Sequence, residues 1–493
     1  MQIPMNLTQL YACTCTRLAA QSDSVILLST CLRNYRLSPS FLAMKRQNFH
    51  IQKRCLYTRK YISRMFINPG KPQPKETDLV CKSHKLMLYN DIIAQGHTGA
   101  FHMLPFGLRA FEKLSRLIDE ELQALGCEKL MLTTMTSKHL WQKTGRWDSM
   151  GSELFKLKDR HDMYYCLGPT HEEAVTDLVG SQPISYRTLP IMLYQTTRKF
   201  RDEMAPKYGL LRGREFEMKD LYTFDSSEEN AKETYERINN AYISIFNRLH
   251  LNYIRVAGDS GAIGGDLSHE FHILADIGQD KLLICSDCGL GWNQELVDSQ
   301  SSQTCSRSDC GPNLTDKIGI EVGHTFFLGT KYSKPLNATF QTETGKQELL
   351  QMGCYGLGVT RILQSGLEVL SLENQIRWPH LLAPYQVLII PQKAGYKAGV
   401  CLDLAECLSD RLSLNAALTN EVVIDDRTQM TIGKRLYEAK RLGFPYIVVA
   451  GKTALQTPAM FEVIEVASGA TETMTEDQLF DKLSCIETIP CHS

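Results

Sequence analysis

Apolar side chains recur at helical spacing across residues 105–125, at Leu108, Phe111, Leu114, Ile118, Leu122 and Leu125. Gly126 follows where a helix C-cap belongs, so the pattern predicts a long amphipathic helix. Strand-like runs come next at 129–135 and 164–167, the second stopped by Gly168-Pro169. Two longer runs, 190–198 and 212–223, flank a loop marked by Pro206 and Gly209, the outline of a long antiparallel hairpin. Residues 227–249 return to helical periodicity, with Asp225 and Ser226 available to cap the start. Residues 281–320, rich in Cys, Ser, Asp and Gly, read as a small inserted module. From Pro384 the pattern changes. Strand-like runs at 386–391, 421–424, 446–450 and 460–466 alternate with helical ones at 400–412 and 432–442, with Gly443 as a C-cap. The expected fold class is α/β (α+β): a larger unit with an antiparallel sheet flanked by helices, then a small α/β domain.

A chain of 493 residues, 43% hydrophobic and 22% charged, can bury sizeable cores and divides naturally into two or three units. No apolar run approaches the roughly 18–20 residues of a membrane span, which excludes a membrane role of the helical kind. Charge is unevenly spread: residues 1–65 carry ten Lys/Arg against one acid, Asp23, and the remaining 44 basic and 54 acidic residues leave the body net −10. An Arg- and Ser-rich, acid-poor leader is the composition of an organelle import peptide, with a nucleic-acid-binding tail as the alternative. An acidic body excludes general adhesion to nucleic acid, so any RNA site must be a local patch. The expected organisation is 1–65 as targeting segment and linker, 66–383 as the larger domain with its insert at 281–320, and 384–493 as the small domain. Four of the sixteen cysteines lie in the leader, and the rest are scattered as in an intracellular protein with reduced thiols.

Chemistry concentrates in two stretches. The first, 194–225, contains Phe200-Arg201-Asp202-Glu203, a loop, and Arg212-x-x-x-Phe216-x-x-x-Asp220. A nucleotide-activating site needs an arginine for the α-phosphate, another for distal phosphates, an aromatic face for a base and an acid for its amino group. Strand periodicity places Arg201 with Glu203, and Arg212 with Phe216 and Asp220, on shared faces. A charged surface hairpin would use the same residues. The second stretch, 352–363, sets Gly356 and Gly358 before Arg361, glycines that admit a phosphate chain at a helix start.

These stretches resemble motifs 2 and 3 of class II aminoacyl-tRNA synthetases. The resemblance implies that Arg201 contacts the α-phosphate and the substrate carboxylate, and that Glu203 meets adenine. Phe216 and Arg361 would then sandwich the base and Arg212 hold phosphates, making Arg201, Arg212 and Arg361 the catalytic cations, with MgATP as substrate. Gly168-Pro-Thr170-His-Glu172-Glu173 resembles the Thr-x-Glu element of the prolyl-tRNA synthetase family, whose hydroxyl and carboxylate accept from the two N–H groups of proline. A glycine-rich stretch at 261–265, His324 and Cys354 resemble the other borders of that pocket. The small domain resembles the anticodon-binding domain of this family, with Arg427, Lys434 and Arg435 as candidates for tRNA contact. The resemblance covers residues 87–486 and implies an enzyme that joins L-proline to tRNA(Pro), a homodimer, acting in the mitochondrial matrix. A non-catalytic paralogue would have lost the motif arginines, which this chain keeps.

The chain departs from the family pattern at Thr133, where motif 1 usually ends in proline, and at Ala205-Pro206-Lys207 in the loop facing the tRNA acceptor end. Residues 281–320 are too few for the bacterial editing domain, so hydrolysis of mischarged Ala-tRNA in cis is not expected. That segment holds Cys285-x-x-Cys288 and Cys305-x4-Cys310, which resemble a zinc knuckle; reduced, unliganded thiols are the other reading.

Overall fold

The computed structural model describes residues 59–68, 71, 80–261, 263–265, 267–294, 310 and 314–489. Most of the leader and linker, and Cys305, lie outside them.

The amphipathic pattern in the larger domain produces three helices on one face of a sheet. Pro105–Ala124 begins with proline at its first turn and leads into Gly126 at φ +87°. Glu228–Arg248 is capped by Ser227, whose side chain accepts from the Asn230 amide, one residue later than Asp225 and Ser226 predicted. With Val359–Leu370 these helices bury one core of Leu114, Ile118, Tyr242, Phe246 and Ile362 against sheet residues Leu221, Phe271 and Leu357. The sheet has nine strands, ordered Leu267–Leu274, Ile254–Ala257, Gly291–Asn293, Asp280–Cys285, Leu314–Gly329, Gln351–Gly358, Glu215–Asp225, Ile191–Phe200 and Glu128–Lys129. The predicted hairpin is there, in the antiparallel register Glu215↔Phe200 to Phe224↔Ile191. Its strands are displaced from the predicted bounds, so Arg201, Glu203 and Arg212 belong to the turn and not to strand faces. The run predicted at 129–135 is a strand only at its ends, Glu128–Lys129 and Met135–Ser137. Between them the Leu132 amide bonds to the Gln195 side chain instead of a ladder, and Met131 is exposed.

The segment 281–320 is not a detached module among its described residues. Asp280–Cys285 and Leu267–Leu274 run end to end along one edge of Leu314–Gly329, with Cys285↔Leu314 at one end and Leu267↔Phe327 at the other. The insert therefore lengthens the main sheet into a ribbon.

The C-terminal domain has a six-stranded sheet ordered Lys60–Tyr61, Val422–Ile424, Val387–Pro391, Tyr446–Ala450, Met460–Glu465 and Thr471–Thr475. The first four strands pair in parallel. Ala398–Leu412 and Glu476–Ser484 cover one face and Ile432–Leu442 the other. The first strand corrects the leader boundary: residues 59–65, assigned by composition to the targeting segment, are part of this domain. Arg59 pairs with Asp410 at 2.9 Å and with Glu406, Tyr61 donates to Glu406, and Ile62 is buried with Leu388 and Val423. The two domains are joined by a buried ion cluster in which Lys113 and Arg109 of the long helix meet Glu421 at 2.7 and 2.9 Å.

Candidate active site

The hairpin, the ribbon strand Leu314–Gly329 and the strand Gln351–Gly358 lie side by side, and side chains of one face converge on a cavity of about 140 Å³. Period-two alternation selects Phe216, Met218, Asp220 and Tyr222 from Glu215–Asp225, and Cys354, Gly356 and Gly358 from Gln351–Gly358. Thr170, Glu172, Arg201, Glu321, His324 and Arg361 also line the wall.

At one end is a negative cluster. Glu172 and Glu173 open the helix Glu172–Gly180, where the peptide dipoles favour carboxylates. Both are buried, and a single buried guanidinium, Arg146, serves them: it meets Glu172 at 2.8 Å, Glu173 at 3.1 Å and the Thr170 hydroxyl at 2.9 Å. Burial raises the Glu172 pKa, but the Arg146 charge and the Thr170 hydroxyl outweigh it and hold the carboxyl below its ordinary value. For Glu173, burial dominates, Arg146 offsets it only in part, the Glu172 charge adds to it, and the net direction is up. Cys354 donates to Glu172 at 3.3 Å; burial and that carboxylate push the thiol well above its usual range, so it serves as a donor and not as a nucleophile. Arg146 is a residue that sequence reasoning missed: nothing local distinguishes Gly145-Arg-Trp147 from a surface turn, yet the guanidinium stacks over Trp141 at 4.8 Å and faces the acids.

At the other end the sign reverses. Arg201 lies just past Ile191–Phe200, anchored by its amide to Arg214 O at 3.0 Å. Its guanidinium sits over the Phe216 ring at 5.3 Å. Among the described residues no carboxylate lies within salt-bridge distance of it, and burial and the Arg361 charge lower its pKa. Arg361, in the first turn of Val359–Leu370, meets Glu321 at 3.1 Å, and His324 Nδ1 lies 3.0 Å from the same acid. Burial opposes the ionised form of Glu321, but the His324 hydrogen bond and the His324 and Arg361 charges hold it well below the ordinary value. His324 Nε2 is 2.5 Å from Ser268 Oγ, and its ring stacks on Phe326.

Glu203 and Arg212 do not line this cavity. They stand in the hairpin turn and pair with each other at 2.8 Å, with Arg212 also donating to Gln279. The glycine-rich stretch reaches the cavity through Ile263, whose carbonyl accepts from Lys331 and Tyr332 at 2.6 and 3.0 Å. Gly265 follows at φ +114°, where a Cβ would stand 2.0 Å from Phe327 O, so a side chain cannot replace it. His171 is structural: its Nε2–H donates to Thr133 O, 3.2 Å away, and burial, with the nearby Lys199 charge, lowers its pKa.

In the C-terminal domain the three predicted tRNA contacts separate. Lys434 is exposed. Arg427 is paired with Asp425 and Glu438, each at 2.7 Å. Arg435 was expected at the surface and is fully buried, donating to the carbonyls of Asp425 and Pro391 at 3.0 and 2.7 Å; it cannot meet an RNA. With Thr431 as N-cap, residues 435, 439 and 442 fall on the face packed against the sheet.

Residues 155–369 match the family described as tRNA synthetase class II core domain (G, H, P, S and T), and residues 386–486 match the anticodon binding domain. The chain is 50% identical over 417 residues to a protein of Rattus norvegicus named probable proline--tRNA ligase, mitochondrial, covering 84% of this chain and 87% of the relative. The Homo sapiens protein of that name is also 50% identical, covering 85% and 88%, and that of Schizosaccharomyces pombe is 38% identical, covering 81% and 93%. Among solved structures, Giardia lamblia prolyl-tRNA synthetase in complex with prolyl-adenylate superposes with a TM-score of 0.67 at 17% identity, over 81% of this chain and 75% of that one; the fold is shared.

Proposed function

Because the chain belongs to the family of class II proline--tRNA ligases, its reaction is activation of L-proline by ATP and transfer of the prolyl group to tRNA, and we propose that the bipolar cavity carries the chemistry. The observation behind this reading is the pairing of an under-compensated carboxylate cluster at one end with an unpaired guanidinium at the other. A secondary ammonium needs two acceptors, and Thr170 and Glu172 supply them, with Arg146 fixing both. The carboxylate of proline then points to Arg201, which no carboxylate among the described residues meets at salt-bridge distance. His324 and Cys354 border the ring.

Activation forms a bond between a proline carboxylate oxygen and the α-phosphorus of ATP, and the bond to the bridging oxygen of pyrophosphate breaks. Arg201 lies where negative charge grows on the α-phosphate, and holding the reactants in line does much of the rest. Phe216 offers a face for adenine, with Arg361 opposite. Arg212 and Glu203 at the turn are placed to meet distal phosphates and the adenine amino group once their mutual pair opens. Transfer follows when the terminal ribose hydroxyl of tRNA attacks the prolyl carbonyl carbon and AMP leaves; no protein nucleophile is required. Magnesium favours hard oxygen donors shared with substrate phosphates, and Glu321, whose carboxylate lies in the cavity wall between Arg361 and His324, would supply such donors; the ion would offset phosphate charge there.

tRNA(Pro) would be held in part by Lys434, exposed at the start of Ile432–Leu442. Exposed Met131 and Met135, beside the edge strand Glu128–Lys129, support a homodimer formed along that edge. The relatives' names support a mitochondrial location, and the basic leader supports the matrix. The test is amino-acid-dependent ATP–pyrophosphate exchange on the purified chain with all twenty amino acids. Exchange led by proline supports the reading; exchange led by another amino acid, or none from folded protein, overturns it.

A further inference from the structure

Away from the cavity, the ribbon ends in a second cluster with its own chemistry. The sulfur atoms of Cys285, Cys288 and Cys310 lie within 4.8 Å of one another. We propose that these three thiolates hold a structural Zn²⁺ ion that clips the tip of the ribbon.

Three observations carry the assignment. First, Cys285 and Cys288 flank a tight turn that directs two sulfurs to one point: the Gly289 amide donates to Cys285 O at 2.9 Å, and the Cys285 amide to Leu290 O at 2.8 Å. Gly289 takes φ +72°, so the chain reverses directly after the second sulfur. Second, the third sulfur arrives from 22 residues further on, close to the start of Leu314–Gly329, whose first residue pairs with Cys285. A disulfide would use two of these sulfurs, whereas convergence of three suits tetrahedral thiolate ligation. Zn–S bonds of about 2.3 Å put ligand sulfurs roughly 3.8 Å apart, a small contraction from the spacing seen. Third, the ribbon has little core of its own: Val256, Leu282 and Ile284 make up its separate buried cluster. A β-element that small needs a staple, and a metal supplies one.

The clip bears on the cavity through one continuous strand. Leu314–Gly329 is sixteen residues long; its outer end faces the cysteines and its middle carries Glu321 and His324. Seven residues of extended chain, about 23 Å, separate Leu314 from Glu321. The ion is a support for that strand and takes no part in catalysis. Its fourth ligand is a donor that spectroscopy can identify by class.

The test is metal analysis of the full chain purified under reducing conditions without chelator. About one zinc per chain is expected, reduced to near zero in Cys288→Ser and Cys310→Ser and unchanged in Cys407→Ser, a cysteine exposed on another domain. Cobalt substitution should give tetrahedral d–d bands and thiolate charge transfer with the intensity of three or four sulfurs. Backbone exchange in 280–294 and 314–319 should quicken at least tenfold on chelation, while 387–391 stays unchanged. Iron in place of zinc, no metal in wild-type protein and no cobalt charge transfer, or bound zinc whose removal leaves exchange in 280–285 unaltered, would each overturn the proposal. None of these readouts depends on aminoacylation, so they stand apart from the test of the enzymatic reading.

Discussion

The cavity and the start of the helix Ile432–Leu442 both gather arginines and carboxylates, and they balance them in opposite ways. In the C-terminal domain Arg427 is answered by Asp425 and Glu438, and buried Arg435 donates to two backbone carbonyls, so neither guanidinium is presented to a ligand. Beside the cavity one guanidinium, Arg146, is shared by two buried carboxylates, and within it another, Arg201, has none within salt-bridge distance among the described residues. Buried charge is costly unless it is paired. A balanced cluster holds a fold together; an unbalanced one is completed by substrate. The difference lies in the partners and not in the residue types.

The largest test of this contrast is Arg201→Ala. Removing the unanswered cation should lower proline-dependent pyrophosphate exchange by about 10²–10³-fold with little change in Tm, since no ion pair within the protein is lost. An Arg201→Ala protein that melts far below wild type would erase the distinction. The mirror experiment is Arg435→Ala, which leaves two buried carbonyls without their donor and opens a cavity. A loss of about 2–4 kcal/mol in denaturant unfolding is expected, with exchange activity per folded molecule retained.

Arg146→Lys sharpens the comparison by keeping the charge and losing the fork that reaches Glu172, Glu173 and Thr170 together. The KM for proline should rise about 10- to 100-fold while the KM for ATP stays near wild type. Asp225 shows what an unmatched charge costs where no substrate answers it. One oxygen accepts from Thr234 at 2.8 Å, the other is buried without a partner, and burial raises the pKa to about 6. A raised folded pKa contributes stability that is full below the ordinary aspartate value and is lost as pH rises through about 6. Asp225 therefore adds stability as pH falls from 7 to 5, and Asp225→Asn should remove that contribution from the pH dependence of Tm, relative to wild type, and gain about 1–2 kcal/mol at pH 7.5. The smallest effect belongs to Lys434→Ala: a roughly two- to fivefold rise in the KM for tRNA, weaker at high salt, with no change in pyrophosphate exchange.

Much of the molecule was legible in the chain because it depends on neighbours in sequence. The helix Pro105–Ala124, the strand Tyr164–Leu167 and the helix Ile432–Leu442 follow from local period and cap residues, and they fall at or within one residue of the predicted bounds. The motif residues Thr170, Glu172, Arg201, Phe216, His324, Cys354 and Arg361 were named from spacing and resemblance and meet in one cavity. What the tertiary structure alone decided is which charges are answered. Arg435 and Lys434 are neighbours with the same sign; the angle of the helix on its sheet buries one and exposes the other. Arg146 becomes part of the site because a distant helix brings Glu172 and Glu173 to it. Residues 59–64 look like the rest of a basic leader, yet Arg59 finds Asp410 and Glu406 some 350 positions away and the strand closes a sheet edge. Composition and period are sums over nearby positions, whereas charge balance is set by groups that only folding brings within a few ångströms.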